Sequence, residues 1–193
     1  MPISFIGPAA ADDHALSIRA GFYENHGFDR ILIEPDGALL PIGTGHLRAE
    51  KASAPDHVER IDSNEASAAD LLLVPPGPLK QVTQAVRAAR RTAAHQGRYP
   101  GFLIAVAPVL GATPAAARQR AAGLTMHHDA IPLIGTPEQI ARALMDFYDI
   151  GIEHILLRGA HPEQDAVEFG RDLIPLMRRK VAQRDGMLAM LAG

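Results

Sequence analysis

The chain contains no cysteine, which removes disulfides, thiolate metal sites, iron–sulfur clusters and a cysteine nucleophile from consideration and suits a protein that is not secreted. It has no excess of positive charge. Its 19 Lys and Arg stand against 22 Asp and Glu, a formal net charge of −3, so nothing marks it as a binder of nucleic acid or of an anionic membrane. No apolar run approaches the roughly 20 residues that span a bilayer. Met1-Pro2-Ile3 opens straight into a strand-like segment, without the basic stretch of a secretory signal, and the cytoplasm is the expected location. The chain is also short, 193 residues where a closed eight-stranded β/α barrel takes about 250.

What is present is ordinary globular material: 47% of residues are hydrophobic and 21% charged, enough for one core. Ile3-Ser4-Phe5-Ile6 reads as a buried strand ending in Gly7-Pro8, and Asp12 and Asp13 then stand where acidic residues complement a helix start. The helix is expected to run to Gly27 on a stripe of Ala15, Ile18, Phe22 and Tyr23. Gly27 takes the left-handed C-cap position before Phe28 and Ile31-Leu32-Ile33. Strand, helix and strand within about 34 residues is the size of a βαβ unit, the crossover that a parallel pair requires.

From Pro35 to Ala69 this pattern breaks into Gly, Pro, Ser and scattered charge. So long a loop is uncommon in a compact domain, so the stretch either holds short helical turns around Leu47 and Val58 or lacks something. Alternation resumes with Leu71-Leu72-Leu73-Val74 and a helix started by Pro78, with Leu79, Val82, Val86 and Ala89 inward. Its outer Lys80, Arg87, Arg90 and Arg91 read as a solvated face rather than a binding patch. Gly97 ends it. Phe102 to Leu110 is a continuous apolar strand, and Thr113-Pro114 supplies the N-cap and first position of a helix from Ala115 to Gly123.

Ala130 to Ile134 leads into Gly135-Thr136-Pro137-Glu138-Gln139, in which Thr136 and Gln139 have capping-box spacing. Ile140, Leu144, Phe147 and Tyr148 form that helix's stripe, and Gly151 stops it. Ile152 to Leu157 is the next strand. A last helix carries Val167, Leu173, Ile174 and Met177 inward, with Pro175 forcing a kink or restart. Repeated strand–helix alternation with five or six strands predicts an α/β fold with a parallel sheet.

Three segments carry a family resemblance: Leu133-Ile134-Gly135-Thr136-Pro137-Glu138-Gln139-Ile140-Ala141, then Tyr148-Asp149-Ile150-Gly151-Ile152-Glu153-His154-Ile155-Leu156-Leu157, then Leu173-Ile174-Pro175-Leu176. Together they resemble the C-terminal signature of the bacterial luciferase-like flavin monooxygenases, and within these most nearly the alkanesulfonate monooxygenase branch. The similarity continues through Ala69 to Ala122 and, more weakly, Ile3 to Glu34. It implies a TIM-type parallel β/α barrel truncated to about five or six strands, a single domain over 1–193 in which 35–68 is an irregular linker replacing missing units. It also implies reduced FMN, with a deazaflavin in a related branch, and oxidation of a small organic substrate by molecular oxygen. The departures are specific. Where that branch carries an arginine and a histidine facing the flavin, this chain aligns Ala105 and Ala107. Of the branch's serine, glycine and tyrosine after the last strand only Gly159 is kept, in Arg158-Gly159-Ala160, and the branch's cysteine has no counterpart. No catalytic residue is carried over. The alternative is therefore a non-catalytic flavin-binding or partner subunit of the same family, in which a second copy, giving a homo-oligomer, or a full-length relative covers the edge that missing strands leave open.

In such barrels function sits where strands end and helices begin, and the last two strand ends often hold phosphate. This selects Gly135, Thr136, Arg158, Gly159 and His161 as cofactor contacts, with Arg158 offering a bidentate charged fork. Each has a plainer reading: Thr136 as a helix cap, Arg158 in an ion pair with a carboxylate such as Glu163, His161 as a solvated loop residue. His127-His128-Asp129 has metal-ligand residue types without a third convergent ligand and reads as a solvated turn, so no metal is expected. Glu34 and Asp36 could pair as acid and base or simply flank a turn.

Overall fold

The computed structural model describes residues 3–10, 21–34, 38–41, 56–60 and 71–192. Strand β1 (Ser4–Ala10) continues through Gly7 and Pro8 because a parallel neighbour, β2 (Arg30–Glu34), pairs with it there, Gly7 opposite Ile31 and Pro8 opposite Leu32. Between them lies α1, described over 21–25. Its Tyr23 is buried and lies over Gly7, where an added Cβ would come 2.7 Å from the ring. Ala15 and Ile18 of the expected stripe, and Asp12 and Asp13 before it, lie outside the described residues. Gly27, Gly97 and Gly151 all have positive φ (80°, 70° and 91°) just after a helix, where a left-handed residue lets the chain turn away.

Two short strands, β3 (Ala38–Pro41) and β4 (Asp56–Arg60), fall in the stretch the sequence leaves irregular. Val58, expected near a helical turn, is in β4; Leu47 lies outside the described residues. Ala38–Pro41 ends on proline among turn residues and Asp56–Arg60 has a single apolar residue, so neither shows a strand's apolar pattern. Next come β5 (Leu71–Val74), α2 (Leu79–His95), β6 (Gly101–Leu110), α3 (Pro114–Ala121), β7 (Ile131–Gly135), α4 (Pro137–Asp149) and β8 (His154–Leu157). A run of α5 (Pro162–Glu168), a π-helical turn (Phe169–Leu173) and α6 (Ile174–Ala192) completes the chain.

The fold is α/β, built on a barrel-like sheet. The six strands of the strand–helix alternation run parallel, and among the described strands β3 alone is reversed, antiparallel to β2 and β4. Hydrogen-bonded neighbours close a ring in the order β1-β2-β3-β4-β5-β6-β8, returning to β1. The ten-residue β6 is its hub. It pairs with β5 along Gly101–Ile104, with β8 along Leu103–Val106 and with β7 along Val106–Leu110. Since each residue has only two edges, β5 and β7 follow one another along one edge of β6 and β8 lies on the other.

Side chains alternate across this sheet. Phe5, Val74, Phe102, Ile104, Ile155 and Leu157 face the helices and meet Val86 of α2, Leu144 of α4, and Phe169 and Met177 near the C-terminus. Ile6, Leu32, Leu71, Leu103, Ala105, Ala107 and Leu156 form a second cluster inside the ring. Burial on both faces explains why β6 reads as one unbroken apolar run.

Helix starts follow the sequence. Thr113 Oγ accepts from the Ala116 N–H with Pro114 at the first position, and Thr136 and Gln139 form a complete capping box. On α2, Lys80, Arg87, Arg90 and Arg91 are all exposed, as expected, and the Arg90 guanidinium also sits 5.3 Å from the Phe102 ring centre. Leu79, expected inward, is 40% exposed and Ala93 is buried instead. Pro175 accounts for the π-helical turn: it cannot donate to the Arg171 carbonyl four residues back, and the helix slips register immediately before it. Ala166 and Phe169 therefore point inward, and Val167 is turned out. Arg178 of α6 donates to Asp29 Oδ1 (2.8 Å) and Gly27 O (2.9 Å), and Asp29 Oδ2 accepts from Phe5 N–H (2.8 Å), tying the C-terminal helix to the first strand. Among the described residues no helix is long and apolar enough to cross a membrane.

Candidate functional site

The C-terminal ends of β6, β7 and β8 lie together. Gly111, just after β6, donates its N–H to Gly135 O of β7 (3.1 Å), and Arg158, just after β8, donates its N–H to Val106 O of β6 (2.9 Å). The two predicted halves of the site, Gly135-Thr136 and Arg158 to His161, therefore flank the same strand.

At the β7 end the geometry is local. Thr136 Oγ accepts from the Gln139 N–H (3.3 Å), while Gln139 Oε1 accepts from the Thr136 N–H (3.1 Å). Ile140 N–H donates to Thr136 O (3.0 Å). Pro137 has no N–H, so Glu138 holds the first-turn amide that the box does not use. Gly135 is buried, and a Cβ there would come 2.8 Å from Gln139 Oε1. Glycine at 135 thus lets the Gln139 side chain fold back over the strand end.

At the β8 end the geometry is tertiary. Arg158 continues the face of Leu156, which belongs to the inner cluster, so its side chain stands at the C-terminal mouth of the ring. Its Nη2 lies 3.3 Å from Asp129 Oδ2, with the two side chains only 11% and 18% exposed. The carboxylate is thus Asp129 and not Glu163, which is exposed on the outside of α5. Sequence proximity suggested Glu163, but β-strand alternation aims Arg158 inward. The His127-His128-Asp129 turn is accordingly half-buried at two of its three residues, and His127 Nε2 lies 3.4 Å from Gly159 O. Among the described residues, no group of three His, Asp or Glu is placed to hold a metal ion. Glu34's side chain and all of Asp36 fall outside the described residues.

His161 is an exposed residue at the N-cap of α5. It caps nothing with its ring; instead its backbone N–H donates to Asp165 Oδ2 (2.8 Å). Asp165 is the buried charged residue of the described set, 3% exposed. Its Oδ1 accepts from Arg120 Nη2 of α3 at 2.7 Å. Arg120 Nη1 reaches Glu168 (2.5 Å) and the Leu110 carbonyl at the end of β6 (3.3 Å). Gly159 packs directly on Asp165, where an added Cβ would come 2.5 Å from the Asp165 Cβ. None of Arg120, Asp165 and Glu168 stands out in the sequence, since the pairing spans 45 and 48 residues. The available signal was an acidic residue in the first turn of a helix.

A second buried-edge pair lies away from these strand ends. Tyr148 of α4 donates its hydroxyl to Asp185 of α6 (3.0 Å), and burial, then the hydrogen bond to Asp185, push the phenol up to about 12.

The class this defines is an α/β barrel-type protein whose polar groups gather at the C-terminal strand ends. No protein-family model and no curated protein matches the sequence. Among solved structures it is similar to a riboflavin lyase determined with a modified FMN and riboflavin (15% identity, TM-score 0.56). It is also similar to a long-chain alkane monooxygenase (13%, 0.55) and to an EDTA monooxygenase from Chelativorans sp. BNC1 (14%, 0.55). Each match covers 66% of this chain and 43%, 42% and 47% of those chains respectively, so this chain spans less than half the length of the proteins it resembles. At such identities the likeness is one of fold.

Proposed function

We propose that the chain is a luciferase-like oxidoreductase of the reduced-flavin monooxygenase type, acting on a small organic substrate with molecular oxygen. It forms one domain in which 35–68 stands in for absent barrel units. The observation that carries this reading is the meeting of the β7 and β8 ends on the two edges of β6, with the Arg158 guanidinium at the mouth, beyond the apolar inner residues Leu103, Ala105, Ala107 and Leu156.

The residues fit a phosphorylated flavin. Arg158 offers a planar cationic fork suited to a phosphate, and Thr136 a hydroxyl. Gly135 and Gly159, whose Cβ positions are taken up by Gln139 and Asp165, are proposed as backbone contacts, and His161 borders the same loop. FMN is the cofactor proposed, with a deazaflavin as the alternative. The chemistry a bound reduced flavin supplies is the activation of oxygen. The chain's part is to hold and orient it, while Leu103, Ala105, Ala107 and Leu156 keep the inner face dry.

A second reading, a non-catalytic flavin-binding or partner subunit of this type, is supported by Ala105 and Ala107. Where the resemblance sets an arginine and a histidine, each is an alanine 3% exposed. A homo-oligomer is proposed with it, supported by β7, which among the described residues pairs with β6 alone and leaves Ile134 44% exposed. Titration with oxidised FMN by fluorescence, then anaerobically with reduced FMN by absorbance, tests the cofactor; size-exclusion chromatography tests the oligomer. Saturable binding in the micromolar range is expected. Absence of binding at saturating micromolar flavin overturns the flavin assignment, and a monodisperse monomer overturns the oligomer.

A further inference from the structure

We infer that Arg120 and Asp165 are positioning residues for the β8–α5 loop, so that an arginine on α3, touching no ligand, governs how Arg158 is presented at the mouth of the sheet. The inference rests on the cofactor site proposed above, but its structural half stands without it.

Burying a carboxylate is costly unless charge and hydrogen bonds compensate it. Asp165 is compensated on both oxygens, by Arg120 Nη2 at 2.7 Å and by the His161 N–H at 2.8 Å. The same guanidinium reaches Leu110 O at the end of β6 and Glu168 at the end of α5. One side chain thus bolts α5 to the hub strand and to α3. Gly159 closes the arrangement from the other side, because only a residue without Cβ can lie this close to Asp165.

The loop is consequently gripped along its length: Arg158 N–H on Val106 O, Gly159 against Asp165, His161 N–H on Asp165 Oδ2. A backbone held on both sides of residue 158 fixes where the Arg158 side chain starts, and the Asp129 ion pair (3.3 Å) limits where its guanidinium lies when an anion arrives to share it. Lysine at 120 would keep the charge but not the fork, which engages two carboxylates and a carbonyl at once.

The test compares ligand-free amide exchange and FMN affinity in wild type, Arg120→Ala, Arg120→Lys, Arg158→Ala and the Arg120→Ala/Arg158→Ala pair. Arg120→Ala should speed exchange of the His161 amide while leaving the Gln139 amide, held by the Thr136 cap, unchanged; Arg120→Lys should fall between, and serves if the alanine variant does not fold. FMN affinity should drop about tenfold in Arg120→Ala, the low end for a residue that orients a contacting group, and this drop should vanish once Arg158 is alanine, measured at raised flavin concentration. A general loss of structure would persist in both backgrounds. Unchanged His161 exchange in both the alanine and the lysine variant overturns the positioning role, as does an Arg120→Ala effect of equal size with and without Arg158. If wild type binds no FMN, the cofactor reading fails, and the exchange arm still decides whether Arg120 holds the loop.

Discussion

The two strand ends that flank β6 are built on opposite principles. At β7, Thr136, Pro137 and Gln139 make a helix start from residues three apart, each satisfying the other's backbone. At β8, the turn depends on Asp129, Arg120 and His127, all at least 29 residues away in sequence. The first end will keep its shape wherever the sequence folds as strand then helix. The second exists only once α3 and the turn before β7 have packed, so mutations at a distance should disturb the β8 end and not the β7 end.

The largest effect that sharpens this contrast is expected from Asp165→Ala, which leaves Arg120 and the His161 N–H without their buried acceptor. Chemical denaturation should show a loss of about 2–3 kcal/mol, below the range for fully buried pairs because Arg120 is half-exposed and retains Glu168. Asp165→Asn, which can still accept from His161, should lose less. Next comes Gly159→Ala: its Cβ meets the fixed Cβ of Asp165, and overpacking of this kind costs about 1–3 kcal/mol. Gly135→Ala should cost less, since what it meets is the movable end of Gln139. Equal losses at the two glycines would erase the distinction between the ends.

Thr136→Ala removes one cap and should cost about 1 kcal/mol in the same measurement, without altering amide exchange at His161. The smallest effect lies remote from both ends. The Tyr148 phenol is raised in the folded state, so its contribution is present below pH 10, the ordinary value, and is lost as pH rises through about 12. Unfolding followed from pH 9 to 12 should show wild type losing stability over that window relative to Tyr148→Phe, with no difference between their slopes near neutrality.

What was legible in the sequence was whatever is decided locally. The glycines at 27, 97 and 151, the caps at Thr113 and Thr136 with their prolines, and the unbroken apolar β6 all follow from a few adjacent residues and appear where expected. Strands β3 and β4 are not legible, because Ala38–Pro41 lies among Gly and Pro and Asp56–Arg60 is mostly charged, so neither has the apolar run that marks the equally short β5 and β8, and their pairing comes from neighbours' hydrogen bonds. An ion pair for Arg158 with a carboxylate such as Glu163 is the plainer reading of the sequence, and the carboxylate is Asp129, which strand alternation faces and sequence distance hides. Arg120 and Asp165 carried no signal beyond ordinary helix composition, and only the packing of α3 beside α5 gives them a role. The π-helical turn was half visible, as Pro175, with its position set by the missing amide.

The measurement that bears most directly on the central claim is anaerobic titration of wild type and Arg158→Ala with reduced FMN. The account predicts saturable micromolar binding to wild type, weakened more than about tenfold in the variant through loss of the charge-assisted contact. Absence of binding to wild type, or equal affinity in the two proteins, would contradict it.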